Sequence, residues 1–235
     1  MGKRMNDITA VYYTANVIDE GFAKSVRWQL LFAIGDIPLV SVSQKPIDFG
    51  RNICIGDMGP SLRTLYHQVL LGAKEAKTKY VALCEDDVLY LPDHFHCYRS
   101  DCFGYNHNRW GIYLWDKEPI FSYKNRSTLC QCIAPRELLI ATLEERFAAN
   151  VPDYRLKYFC EPGRYEHRLE ITLQRKEEFR SPLPNIKFSH LTELQHMGKR
   201  KKHGDDKTKF LYPWGSAEGV IEMYVGRNEW KRQST

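Results

Sequence analysis

The constraint that narrows the fold most is the order in which hydrophobic periods change along the first part of the chain. Residues 8–13 (ITAVYY) are β-branched and aromatic and read as a strand. Residues 19–34 read as a helix. Asp19 is its N-cap, Phe22, Val26, Gln29 and Leu30 recur near helical spacing, and Gly35 closes it. Residues 38–43 (PLVSVS) return to a strand. Residues 61–76 return to a helix, with Ser61 as cap and Leu62, Leu65, Val69 and Leu70 on one side. Residues 79–84 (KYVALC) form a buried strand. Strand and helix in alternation specify an α/β fold around a mainly parallel sheet, because parallel neighbours need a crossover and a helix supplies it.

The later sequence is less regular. Residues 109–115 (RWGIYLW), 129–134 (LCQCIA) and 186–191 (IKFSHL) read as strands. Residues 135–149 read as a helix with Pro135 at its start, and residues 165–179 as another. Residues 198–208 are polar and read as a mobile loop. No repeat or low-complexity linker divides the 235 residues, which suit a single domain, 1–235, with a substantial core.

Composition excludes some classes. No run of about 18 apolar residues exists, so no membrane anchor is expected. The polar start, Met1 to Asp7, lacks the apolar stretch of a signal peptide. Seven cysteines without regular spacing suggest free thiols in a reducing compartment, so the expected location is the cytoplasm of a bacterium or of an infected host cell. Asn125-Arg126-Ser127 matches a glycosylation acceptor but means nothing without secretion. The net charge of +5 is uneven: Lys199-Arg200-Lys201-Lys202 is a compact basic run that reads either as a polyanion contact or as a solvated loop. Aromatics at 13% serve either a core or flat sugar- and base-binding faces.

Glu85-Asp86-Asp87 follows the buried strand directly. In open α/β sheets ligands bind outside the carboxyl ends of the strands. Three adjacent carboxylates repel one another unless a cation joins them, and a hard divalent ion suits carboxylate oxygens. Such an ion can bridge to a diphosphate and neutralise its charge as it departs. The ordinary alternative is that the acids cap a turn or sit on a solvated edge.

The run V-A-L-C-E-D-D-V-L-Y-L-P-D-H-F, residues 81–95, resembles the donor-site segment of bacterial and phage glycosyltransferases with the GT-A fold, whose D-x-D motif here takes a Glu-x-Asp form. Y-Y-T-A-N (12–16), V-S-V-S-Q-K-P (40–46), D-F-G-R-N-I (48–53) and G-D-M-G-P-S (56–61) are similar to the same group's nucleotide-binding loops. The likeness covers residues 8–95. It implies a Rossmann-like nucleotide-sugar-binding fold with a donor half at 8–100. An acceptor half at 101–235 would carry a basic flexible loop near 198–209. It also implies Mn2+ or Mg2+ and a UDP-sugar donor. Asp87 would be the main metal ligand, with His190 first and His196 second as the additional ligand. Glu85 would contact the ribose or sugar. Tyr13, Thr14 and Asn16 would line the base and ribose pocket, with Asp57 beside the nucleotide, and Lys199 and Arg200 would hold the diphosphate. Asp86 stands where relatives often carry His, which adds a charge at the donor site.

An inverting reaction needs a carboxylate to take the acceptor's proton. Glu161-Pro162-Gly163-Arg164-Tyr165-Glu166-His167 resembles the acidic segment that such enzymes place before a helix, so Glu166, then Glu161, is the candidate base, unless either is a capping or ion-paired glutamate. The acceptor is a glycan, a protein or hydroxymethylpyrimidine DNA of a phage, and the basic run favours DNA. A zinc site from His94, His96, Cys97, Cys102, Cys130 and Cys132 is disfavoured by irregular spacing. No P-loop, G-x-G-x-x-G or G-x-S-x-G occurs. A sugar nucleotidyltransferase stays open as a second class, although Y-Y-T-A-N lacks the Gly-rich basic loop usual there.

Overall fold

The computed structural model describes residues 7–190 and 203–226. The first strand, β1 (Ile8–Thr14), is buried along its whole length. Helix α1 (Glu20–Ile34) follows, and the Asp19 carboxylate accepts from the Phe22 amide at 2.9 Å. Then come β2 (Leu39–Ser43), β3 (Arg51–Cys54) and α2 (Leu62–Glu75), whose cap Ser61 accepts from the Thr64 amide at 3.0 Å. Strand β4 (Tyr80–Glu85) ends at the acidic triplet, and β5 (Val88–Leu89) begins just after it. The later elements are α3 (Pro92–His96), β6 (Phe103–Asn106), β7 (Arg109–Tyr113) and β8 (Phe121–Tyr123). They continue with β9 (Cys132–Pro135), α4 (Arg136–Ala148), α5 (Glu166–Leu169), β10 (Lys176–Phe179), β11 (Asn185–Ser189) and β12 (Asp206–Thr208). A small hairpin and the helix Ala217–Tyr224 close the described chain.

The larger sheet has the order β10-β6-β9-β4-β1-β2-β3. The run β4-β1-β2-β3 is parallel, β9 is antiparallel to both β4 and β6, and β10 is parallel to β6. This is the mixed, mainly parallel α/β sheet that the strand–helix alternation implied. Side chains alternate across it, as strand geometry requires. Val11, Val81 and Leu83 pack toward α2 and α4, whereas Ala10, Tyr12 and Ala82 pack toward α1 and α3. Gly72 lets α2 lie close on the sheet, since a Cβ there would stand 2.3 Å from Val11 Cγ1.

A second sheet, β12-β8-β7-β11-β5, was not expected. Its β5 is the continuation of β4, and β11 pairs antiparallel with β5 and parallel with β7. The triplet therefore sits on the corner where the chain passes from one sheet to the other. The Phe188 amide donates to the Asp87 carbonyl at 2.9 Å, which locks that corner. A third apolar cluster, with Phe22, Val26, Ile112, Phe188 and Val220, fills the space between α1, this sheet and the last helix.

Several expectations need correction. Residues 165–179 are not one helix: α5 stops after Leu169 with Glu170 at φ +58, and Lys176–Phe179 is a strand. Edge pairing with β6 overrides the helix preference of its Lys and Glu residues, as strand propensity depends on context. Residues 129–134 open with a 3-10 turn (Leu129–Gln131) before β9, and β7 ends at Tyr113 rather than at residue 115. The polar stretch expected as a loop contains β12, paired with β8, while residues 191–202 lie outside the described region. All seven cysteines are free thiols, and among the described residues no helix is long and apolar enough to cross a membrane.

Candidate functional site

A cavity of about 580 Å³ opens at the carboxyl ends of β1 and β4. Its walls include Tyr13 and Thr14 from β1, Gln44 after β2, Leu65 and Gln68 from α2, the whole acidic triplet, and Lys187 and His190 from β11 and its end. Parallel pairing sets this arrangement. Tyr13 stands opposite Glu85 in the β1–β4 register, so the side chains at both strand ends emerge together. Gln68 is buried and donates to the Thr14 and Val42 carbonyls at 2.7 and 3.1 Å, tying α2 to the ends of β1 and β2.

The three acids have distinct surroundings. Glu85 accepts from the Tyr13 hydroxyl at 2.9 Å and from Lys187 Nζ at 2.7 Å. Asp86 accepts from the Thr14 hydroxyl. Burial, and after it the charge of Asp87, raises the Asp86 carboxyl above the usual carboxylate range. Asp87 is buried and receives both of its oxygens' bonds from Lys187 Nζ at 2.7 Å. Burial opposes its ionisation, but Lys187 and His190 outweigh that and hold its carboxyl below the usual range. His190 Nε2 lies 3.6 Å from Asp87 Oδ2.

Asp87 and His190 offer one oxygen and one nitrogen ligand at the cavity wall, a donor pair that suits Mn2+ or Mg2+ completed by phosphate oxygens. Two donors are a third of an octahedral coordination set. Among the described residues no group of three His, Cys, Asp or Glu side chains is placed to hold an ion. Lys187 meanwhile supplies positive charge to the same carboxylates.

Other expected site residues fall elsewhere. Asn16 has φ +55, and its side-chain oxygen accepts from the Gln44 and Lys45 amides at 2.8 and 2.9 Å. It stitches two loops and faces a neighbouring groove with Trp28 and Lys45, not the cavity of Tyr13 and Thr14. Asp57 is exposed and caps its own turn by accepting from the Gly59 amide at 3.1 Å, outside the cavity wall. Glu166 is buried in an ion pair with Arg146 at 2.6 Å and also accepts from the Gly163 amide. Glu161 pairs with Arg164 at 3.1 Å. Neither glutamate, the two expected as candidate base, lines the cavity. His196, Lys199 and Arg200 lie outside the described residues.

Lys187 and Gln68 are the residues that sequence reasoning missed. A signal for Lys187 existed: it is the one charged residue in the apolar strand 186–191, and a lysine there has to find a carboxylate. For Gln68, only its position on the apolar side of α2 hinted at a buried amide.

No protein-family model matches the chain, and no curated protein matches it. Among solved structures it is similar to a glycosyltransferase involved in glycosylation of the major capsid of PBCV-1, with 9% identity and a TM-score of 0.46 over 81% of this chain and 98% of that one. It is also similar to the bifunctional IspDF from Campylobacter jejuni, with 8% identity and a TM-score of 0.38 over 74% of this chain and 50% of that one. Both likenesses are too loose to carry either protein's reaction to this chain.

Proposed function

We propose that the protein is a glycosyltransferase that moves a sugar from a nucleotide-sugar, UDP-linked, to a hydroxyl acceptor. One observation carries this reading. A cavity at the carboxyl ends of two parallel strands joins an apolar and hydroxyl-bearing wall to a cluster of carboxylates, a lysine and a histidine. Its volume of about 580 Å³ lies within the range of small-molecule sites.

In this reading Tyr13 and Thr14 face the base and ribose, and Glu85 contacts the ribose or sugar. Asp87 and His190 would hold Mn2+ or Mg2+, which would supply positive charge to the departing diphosphate. Lys187 holds Glu85 and Asp87 in place and adds to the charge at the same point. Tyr13 and Lys187 together orient Glu85, and Thr14 orients Asp86. No step is assigned to Glu166 or Glu161. For the acceptor, the basic run at 199–202 supports hydroxymethylpyrimidine DNA over a glycan or a protein.

The test is release of UDP from a panel of nucleotide sugars with Mn2+, with and without hydroxymethylpyrimidine DNA. DNA-dependent UDP release supports both donor and acceptor. UDP release without DNA, lost in Asp87→Ala, keeps the glycosyltransferase and moves the acceptor to glycans or proteins. Pyrophosphate instead of UDP identifies a nucleotidyltransferase. No release and no donor-induced thermal shift would sink the proposal.

A further inference from the structure

We infer that a second, anion-binding subsite adjoins the donor cavity: Arg109, Lys124 and Arg126, floored by Lys187, receive a phosphate or carboxylate group of the acceptor. The inference rests on the glycosyltransferase reading for the word acceptor, but the site itself stands on charge and burial.

Strand alternation builds it. Arg109, Gly111 and Tyr113 share one face of β7, and the register places Gly111 beside Lys187 of β11 and Ser122 of β8, with Tyr113 beside Ser189. On the opposite face Trp110, Ile112 and Phe188 pack into the apolar cluster under α1. The polar face forms a narrow cleft lined by these residues together with Lys124 and Arg126. Gly111 leaves the cleft open at its centre, because no side chain projects there.

Among the described residues the cleft is lined by four cations and by no carboxylate. Arg109 is 7% exposed, and among the described residues no hydrogen bond or ion pair holds its guanidinium. Arginine stays charged in proteins, and buried charges are ordinarily paired. Lys187 spends its ammonium on Glu85 and Asp87. Glu161, whose charge reaches Arg126, is itself held by Arg164. Burial first, and then the charge of Arg109, lowers the Arg126 pKa, and the charge of Glu161 acts against them. An oxyanion is a partner that Arg109 can take, and arginine forks match phosphate and carboxylate geometry.

Size limits how it binds. The cleft floor has room of about 10 Å³, enough for a single oxygen atom. One oxygen would enter between Arg109 and Lys187, while the less buried Lys124 and Arg126 at the rim meet the others. Lys187 lines both this cleft and the donor cavity, so the anion stands next to the carboxylate cluster. A group there belongs to the molecule that receives the sugar.

The test is thermal unfolding of the full chain, with UDP and Mg2+ saturating, as inorganic phosphate or acetate is added at constant ionic strength. We expect phosphate or acetate to raise the Tm by roughly 3–10 °C at ten to a hundred times its Kd. The anion that acts names the acceptor group. Arg109→Met should lose this response, keep the UDP response, and melt without ligand no lower than the wild type, because it removes an unpaired buried charge. Gly111→Val should lose it as well with every cation in place. The inference is overturned by no anion response, by a response that survives in both variants, or by one that UDP abolishes, which would place the anion in the donor's diphosphate site. A large loss of Tm in ligand-free Arg109→Met would also overturn it, by revealing a structural partner. Failure of UDP to shift the wild type sinks the glycosyltransferase reading instead, and leaves the anion response to be read in Arg109→Met and Gly111→Val.

Discussion

Two buried ion pairs in this protein have nearly the same geometry and opposite meanings. Arg146 and Glu166 meet at 2.6 Å with side chains 1% and 2% exposed, enclosed between α4 and the short α5. Lys187 meets Glu85 and Asp87 at 2.7 Å, and all three residues face a cavity. The first pair has no side on the cavity: Arg146 also donates to the Cys160 carbonyl, and Glu166 accepts from the Gly163 amide. The second has more carboxylate than ammonium and leaves Asp86 beside it with its own hydroxyl donor. Burial and pairing alone therefore do not mark a site. What separates the two pairs is the open side of the second.

Cutting each ion pair should have opposite effects on stability and turnover. Glu166→Ala leaves Arg146 buried and unpaired and should destabilise by about 3–5 kcal/mol, a Tm loss of roughly 6–20 °C, measured by calorimetry. Glu166→Gln should keep turnover per folded molecule, and a hundredfold loss there would return Glu166 to the mechanism. Asp87→Ala should reverse the pattern, with turnover lower by about 100-fold or more and a Tm near the wild type, since Lys187 keeps Glu85. Equal turnover in Asp87→Ala would place the chemistry elsewhere.

Smaller effects sharpen it further. Lys187→Met should tighten Mn2+ binding by about tenfold, or about 1.4 kcal/mol, because Lys187 holds both Asp87 oxygens that a metal would use. Calorimetric titration showing weaker binding would mean that Lys187 and the metal do not compete. His94 lies fully buried, and burial lowers its pKa from 6.5 to about 3. Above pH 6.5 it is neutral both folded and unfolded. Below that the unfolded chain takes a proton that the folded one refuses, so stability should fall by about 1.4 kcal/mol per pH unit down to about pH 3. His94→Gln should flatten that part of the denaturation profile. Ser61→Ala removes the α2 cap beside the cavity and should cost about 1 kcal/mol, with little effect on the Lys187 pair.

Legibility of the fold followed how local each signal was. Both first-half helices carried their own caps, Asp19 and Ser61, and their strands were rich in β-branched, aromatic and apolar residues, so α1, α2, β1, β2 and β4 were readable to within a residue or two. Lys176–Phe179 was not, because KEEF has no strand character until β6 offers it an edge. Nor was the split of Val88–Leu89 and Asn185–Ser189 into a second sheet, which depends on pairing across some hundred residues. The candidate site divides the same way. The triplet could be named from its place at a strand end, and Tyr13 and Thr14 from the resemblance of Y-Y-T-A-N to a nucleotide-binding loop. Lys187 could not be assigned to Asp87, because that contact comes from the antiparallel match of Lys187 with Val88.

What the sequence determined by itself is therefore the class of the first half and the location of its acids: alternating periods demand a parallel α/β sheet, and such sheets expose ligands at their carboxyl ends. How those acids are neutralised, and that Glu166 is buried against Arg146 away from the cavity, came from the packing of remote segments. Charge compensation is a property of distances between strands remote in sequence. No local pattern encodes it, and the packing of the second sheet against β4 and α1 sets it.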